Sequence, residues 1–234
     1  MAALRLKLYS HLFMQEPALP PMPAPLVYVV ADNGVHLWAK RDGLEALIPV
    51  QPCAVRDLYP VRPFVRLDGL PRVEARLVQQ MLLRGSAARR PGDGTPVETL
   101  FFLSGHGPSG WRLWQPTQQQ EPTRVAPIRE ALDMEAYGGV LMEVHTHPLP
   151  GMPAFFSCID DEEERGFRLY GVIGGIARGQ GRIEAEIRMR VVIYDVNVAS
   201  YEFPASWVLS LPEGMRECEA PGVPANAGGD ARWG

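Results

Sequence analysis

The chain has 234 residues, 46% of them hydrophobic, enough to close one large domain or a domain of about 130 residues with an added segment. Its net charge of −4 argues against the basic stripe of a nucleic-acid binder, and it has no run of about 20 apolar residues to span a membrane. Arg5, Lys7 and His11 break up the apolar stretch near the N-terminus, which makes a poor secretory signal. Cys53, Cys158 and Cys218 form no C-x-x-C pair and no disulfide framework, so the expected setting is a reducing cytoplasm.

Pro17, Pro20, Pro21, Pro23 and Pro25 predict an extended arm. The segment VYVVADNGVHLWAKR reads as two β-rich runs around Asp32-Asn33-Gly34, where Asn-Gly supplies the positive φ angles of a tight hairpin. Residues 1–70 therefore read as an N-terminal extension. From Pro71, the stripe Val73, Leu77, Val78, Met81 and Leu82 predicts a helix with Pro71 in its first turn and Gly85 as its stop. After the loop at 86–96 comes the apolar strand VETLFFL, with GWRLWQP as its partner. Glu130–Tyr137 predicts a short helix, and GVLMEVHTH a strand that ends at Pro148. A second short helix is expected over 158–165, followed by the strands RLYGVIGGI and IEAEIRMRVVIYDV across a Gly179–Gly181 turn. The tail 212–234, rich in Gly, Ala and Pro, is expected to be disordered. The interleaving predicts a β-rich α/β or α+β domain over 71–211.

The chemistry concentrates in residues 143–161. His145 and His147 stand two apart on a predicted strand, so both imidazoles leave the same face and can reach one ion. A Pro/Gly-bent loop can then bring Asp160 back as an oxygen ligand. Two histidines and one carboxylate leave a coordination position open, as catalytic zinc sites require. A His-x-His pair is weak by itself, and Ser157-x-x-Asp160 also has the form of a helix capping box. The two roles are compatible, because a cap that fixes the helix start also fixes Asp160. Asp161, Glu162, Glu163 and Glu164 read as a solvated first-turn face rather than as ligands.

In their order, His145-Thr146-His147-Pro148 and then Ser157-Cys158-Ile159-Asp160, these residues resemble the JAMM (JAB/MPN+) metallopeptidase signature, over about residues 70–200. The string AFFSCIDDEEERGFRLYGVIG, with the N-terminal hairpin region, resembles the prokaryotic subgroup called PRTRC system protein A. The resemblance implies a JAB/MPN-like mixed β-sheet of the cytidine-deaminase type flanked by helices. It implies a Zn2+-dependent peptidase or isopeptidase with His145, His147 and Asp160 as ligands and Ser157 as hydrogen-bond donor to the oxyanion. The family also has a general-base glutamate on an earlier strand, which Glu98 matches; its ordinary reading is a strand-entry charge. The rival is Glu143, which shares a face with both histidines and could be the base or orient a ligand. The implied substrate is a bond at the C-terminus of a ubiquitin-like or sulfur-carrier protein, with a ThiF-type adenylating enzyme in the same pathway and neither nucleic acid nor membrane as partner. One departure stands out: the spacing from His147 to Ser157 is two residues longer than the commonest family form.

Other classes compete. A non-catalytic MPN scaffold typically loses ligands, whereas this chain keeps them all. A bicupin needs a glutamate shortly after His-x-His and a later histidine, and neither is present. An amidohydrolase barrel of about 250 residues is too large for the short stretch of chain beyond His147. His106, Trp111 and Trp114, near the Glu98 strand, read as packing or exposed residues, and His11 and His36 lack ligand spacing.

Overall fold

Alternating apolar residues in the first third of the chain build a complete sheet. The computed structural model describes residues 10–107, 110–179, 182–193 and 199–220, and it is a mixed α+β fold with few helices. Strands β1 (Ser10–Phe13), β2 (Leu26–Ala31), β3 (Gly34–Arg41), β4 (Leu44–Gln51) and β5 (Phe64–Leu67) lie side by side in that order. The expected hairpin is present as β2–β3, one turn of five paired strands. Its turn differs from expectation. Only Gly34 carries a positive φ, of 134°, and a side chain there would strike the Gln51 carbonyl. Asn33 serves differently, donating to the Val61 carbonyl at 2.8 Å and accepting from the Val61 N–H at 3.0 Å. One face of this sheet (Val27, Val29, Trp38, Leu47) packs against Leu19 and Met22 of the proline-rich arm. The other face, carrying Leu37, Leu44, Ala46 and Ile48, joins the core of the rest of the chain.

Helix α1 spans Ala75–Ala87, so it begins later than Pro71 and runs through Gly85. The late start has a long-range cause. The Val73 N–H bonds to the Val208 carbonyl, the Val73 carbonyl accepts from Ser210, and the Pro71 carbonyl accepts from the Trp111 indole. These bonds hold residues 71–73 extended. Gly85 does not end the helix; it is the point of closest approach to a strand, where a Cβ would collide with the Thr146 side chain.

Strands β6 (Thr99–Gly105), β7 (Trp111–Trp114), β10 (Val140–Thr146), β11 (Arg168–Gly179), β12 (Arg182–Ile193) and β13 (Ala199–Phe203) form the larger sheet, in the order β13-β12-β11-β10-β6-β7. Only β10 and β11 are parallel along this path. Before β11 come also the β8 (Gln118–Glu121) and β9 (Arg124–Pro127) pair, a 3-10 turn at Arg129–Ala131, α2 (Met134–Gly138) and α3 (Cys158–Glu163). The helix expected over Glu130–Tyr137 is split: Asp133 accepts from the Glu135 and Ala136 N–H groups and so starts α2 afresh. The tail corrects a second expectation. Met215–Glu217 forms β14, parallel to Ala185–Ile187 of β12, instead of being disordered. Arg5, Lys7, Gly181, the end of the IYDV run and the tail beyond Ala220 lie outside the described residues.

The two faces of the larger sheet differ sharply. Phe101, Leu103, Met142, Val144, Ile187, Met189 and Val191 share one apolar core with α1 and the N-terminal sheet. Arg41 adds a polar tie, donating to the Phe167 and Gly138 carbonyls at 3.1 and 2.9 Å. The opposite face carries Leu100, Glu143, His145 and Arg190. Trp111 is buried and Trp114 packs edge-on to Phe102, as packing residues do. The three cysteines are unpaired. Among the described residues no helix is long and apolar enough to cross a membrane.

Candidate metal centre

Strand alternation and register assemble the site. His145 pairs with Leu100 of β6, and Thr146 with Thr99, so the next step of the antiparallel ladder sets Glu98 against His147. Glu98 shares a face with Leu100 and Phe102 by the period of two, hence with His145. The outcome is a distance of 3.7 Å between Glu98 Oε1 and His147 Nε2. His147 lies just past β10, yet its N–H still bonds to the Ile173 carbonyl at 2.8 Å. The two imidazole centroids are 5.2 Å apart.

Burial keeps both rings neutral. Desolvation pushes the His145 pKa down to about 4, and desolvation also lowers that of His147. His147 Nδ1 lies 2.8 Å from the Pro153 carbonyl, which can only accept, so Nδ1 carries the proton and the Nε2 lone pair is free.

Asp160 arrives from α3 through the capping box read from the sequence. Its Oδ2 accepts from the Ser157 N–H at 2.6 Å and from the Ser157 hydroxyl at 2.7 Å, while its own N–H donates to Ser157 Oγ at 3.3 Å. That leaves Oδ1 facing His145 Nε2 at 3.8 Å. Ser157 thus sets the rotation of the carboxylate, with its hydroxyl proton directed at Asp160. Glu98, Glu143, His145, His147, Ser157 and Asp160 all line one cavity of about 710 Å³, within the usual range for ligand sites. A salt bridge between Arg124 of β9 and Glu163 of α3 crosses beside it.

The two candidate bases have different surroundings. Burial pushes the Glu98 carboxyl up to about 8, with the Asp160 carboxylate adding to the effect. Glu143 accepts from the Tyr137 hydroxyl at 3.0 Å and lies 3.3 Å from Arg168 Nη1. It is anchored to a Tyr–Arg pair, whereas Glu98 is the carboxylate that faces His147 Nε2.

Sequence reasoning missed the residues that hold His147. Just past Gly174, Gly175 and Ile176 form a bulge in β11, where Gly175 has φ of 59° and donates to the Met152 carbonyl at 2.6 Å. A Cβ on Gly174 would overlap the backbone of Pro153 and Ala154. The long loop between His147 and Ser157 therefore lies directly on the bulge, presenting Pro153 to His147. The Gly-Gly pair inside an otherwise apolar strand was the available signal. Gly174→Ala is expected to displace Pro153, destabilise the fold by about 1–3 kcal/mol and weaken zinc binding about 10–100-fold. Thermal denaturation and zinc titration test this; unchanged zinc affinity would refute the link from bulge to ligand.

The donor set suits zinc in kind: two neutral imidazoles, one carboxylate oxygen and a ring oriented from behind. Two donors on one tetrahedral ion stand about 3.3 Å apart, so the 3.8 Å between His145 and Asp160 is slightly open. Among the described residues, no three His, Cys, Asp or Glu side chains form a closed metal cluster. No protein-family model matches the chain, and no curated protein matches it.

Proposed function

We propose that this chain is a zinc-dependent peptidase or isopeptidase of the JAMM/JAB class, with a JAB/MPN-like fold, that hydrolyses a bond at the C-terminus of a ubiquitin-like or sulfur-carrier protein. The observation that carries the reading is the convergence of Glu98, His145, His147 and Asp160, from separate segments, on one cavity. A bound zinc would supply Lewis acidity and a water acidic enough to ionise near neutral pH. His145, His147 and Asp160 would hold it. Glu98 takes a proton from the attacking water and delivers it to the leaving amine, for which its place in the cavity, 3.7 Å from His147 Nε2, is suited. Ser157, by rotating its hydroxyl from Asp160 to the scissile carbonyl, donates to the developing oxyanion. A ThiF-type adenylating enzyme and a cytoplasmic setting belong to the same proposal.

Metal analysis of the purified protein is expected to give about one zinc per chain, and His147→Ala much less; equal zinc in both sinks the site. Fusions to candidate ubiquitin-like proteins should be cleaved by the zinc-loaded chain. Zinc binding without cleavage of any fusion would favour the scaffold instead.

A further inference from the structure

The acidic run after Asp160 reads in sequence as a solvated face, and the structure corrects that for one of its members, Glu164. Glu164 is buried against a cation, and Asp161, which stays largely exposed, pairs with the same cation. That cation is Arg190 of β12, whose side chain is 7% exposed. Its Nε donates to Glu164 Oε2 at 2.6 Å and its Nη1 to Asp161 Oδ1 at 2.5 Å. The guanidinium also lies 4.0 Å from the centroid of the Phe156 ring. Nη2 has no hydrogen-bond partner among the described residues.

These three contacts bracket one short segment. Phe156 immediately precedes Ser157, Asp161 immediately follows Asp160, and the Glu164 N–H bonds to the Asp160 carbonyl at 2.9 Å. Helix α3 has only six residues, too few to be stable by its own hydrogen bonds. Its place on the sheet must come from tertiary contacts. Resting on the metal-site reading above, we propose that Arg190 is a positioning residue for metal binding: one buried guanidinium grips both flanks of Ser157–Asp160 and so sets where Asp160 stands relative to His145. The planar fork matters, because it meets two carboxylates and a ring face together. Lysine can reach only one of the acids.

The test uses the full chain. Zinc affinity is measured by chelator competition, and the ligand geometry by the visible absorption spectrum of the Co2+-substituted protein, for wild type, Arg190→Met, Arg190→Lys, Asp161→Asn and His147→Ala. Arg190→Met is expected to weaken zinc about 10–100-fold and to alter the cobalt bands, with Arg190→Lys intermediate. Asp161→Asn, at a largely exposed carboxylate, should keep the fold and weaken zinc about tenfold. Wild-type affinity and cobalt spectra in Arg190→Met and Asp161→Asn overturn the proposal. If Arg190→Met does not fold, Asp161→Asn decides by the same two readouts. Failure of the underlying site reading looks different: wild type would then bind no more zinc than His147→Ala.

Discussion

Replacing Glu98 by glutamine is expected to leave zinc content at the wild-type level and to lower hydrolysis by about 10²–10⁴-fold. The change is nearly isosteric, and Glu98 is outside the proposed ligand set, so the metal-binding residues keep their places. What is lost is the ability to take a proton. The carboxyl stands 3.7 Å from His147 Nε2 inside the cavity, and burial pushes it up to about 8, so it holds a proton more tightly than a free carboxylate does. Glu143→Gln should behave differently and retain most activity, because its carboxylate is engaged with Tyr137 and Arg168. Were Glu143→Gln the variant that kept zinc and lost hydrolysis, the base would be Glu143.

Arg168→Met is expected to destabilise the protein by about 3–5 kcal/mol, the usual effect of leaving one half of a buried ion pair behind. Arg168 donates to the Val140 carbonyl at 3.2 Å and to the Tyr137 hydroxyl at 2.8 Å, lies over the Tyr137 ring and faces Glu143, with both charged side chains 13% exposed. Burial holds the Glu143 carboxyl above its ordinary value, and Arg168 pulls the other way. A raised carboxyl pKa means that the folded state binds the proton more tightly than the unfolded chain. Stability from this group is therefore fully present below the ordinary carboxylate range and is lost as pH rises. Without Arg168 the carboxyl rises further, so the deficit of the variant should widen with pH. Urea denaturation at about pH 5 and about pH 8 tests this, each titrating group contributing up to about 1.4 kcal/mol per pH unit. A deficit equal at both values would locate the loss in packing instead of in the Glu143 charge.

The residues of the proposed ligand set were legible in the sequence because their geometry is local. A period of two puts His145 and His147 on one face, and Ser157 and Asp160 meet within a single helical turn. Glu98 is a different case. Its alternation with Leu100 and Phe102 could be read, but the register that sets it against His147 is a pairing of distant segments, and only the family resemblance pointed to it. The start of α1 was misplaced because Val73 bonds to residues beyond 200. Strand β14 was missed for the same reason, since a polar, Gly-containing tail becomes a strand only when β12 offers an edge. Gly174, Pro153 and Arg190 act through the folded backbone and through contacts between elements, where no local pattern announces them.

Strand β10 has a wet side and a dry side, and the dry side is held in common with the N-terminal sheet. Leu37, Leu44, Ala46 and Ile48 lie in the same core as Met142 and Val144. Arg41 fastens the two parts at the Gly138 and Phe167 carbonyls, on either side of β10. The half that carries the histidines is thus not a portable cassette. Trimming the chain to residues 71–211 would bare a broad greasy surface behind the histidines, of the kind that drives self-association. The N-terminal sheet is the back wall of the strand that carries His145.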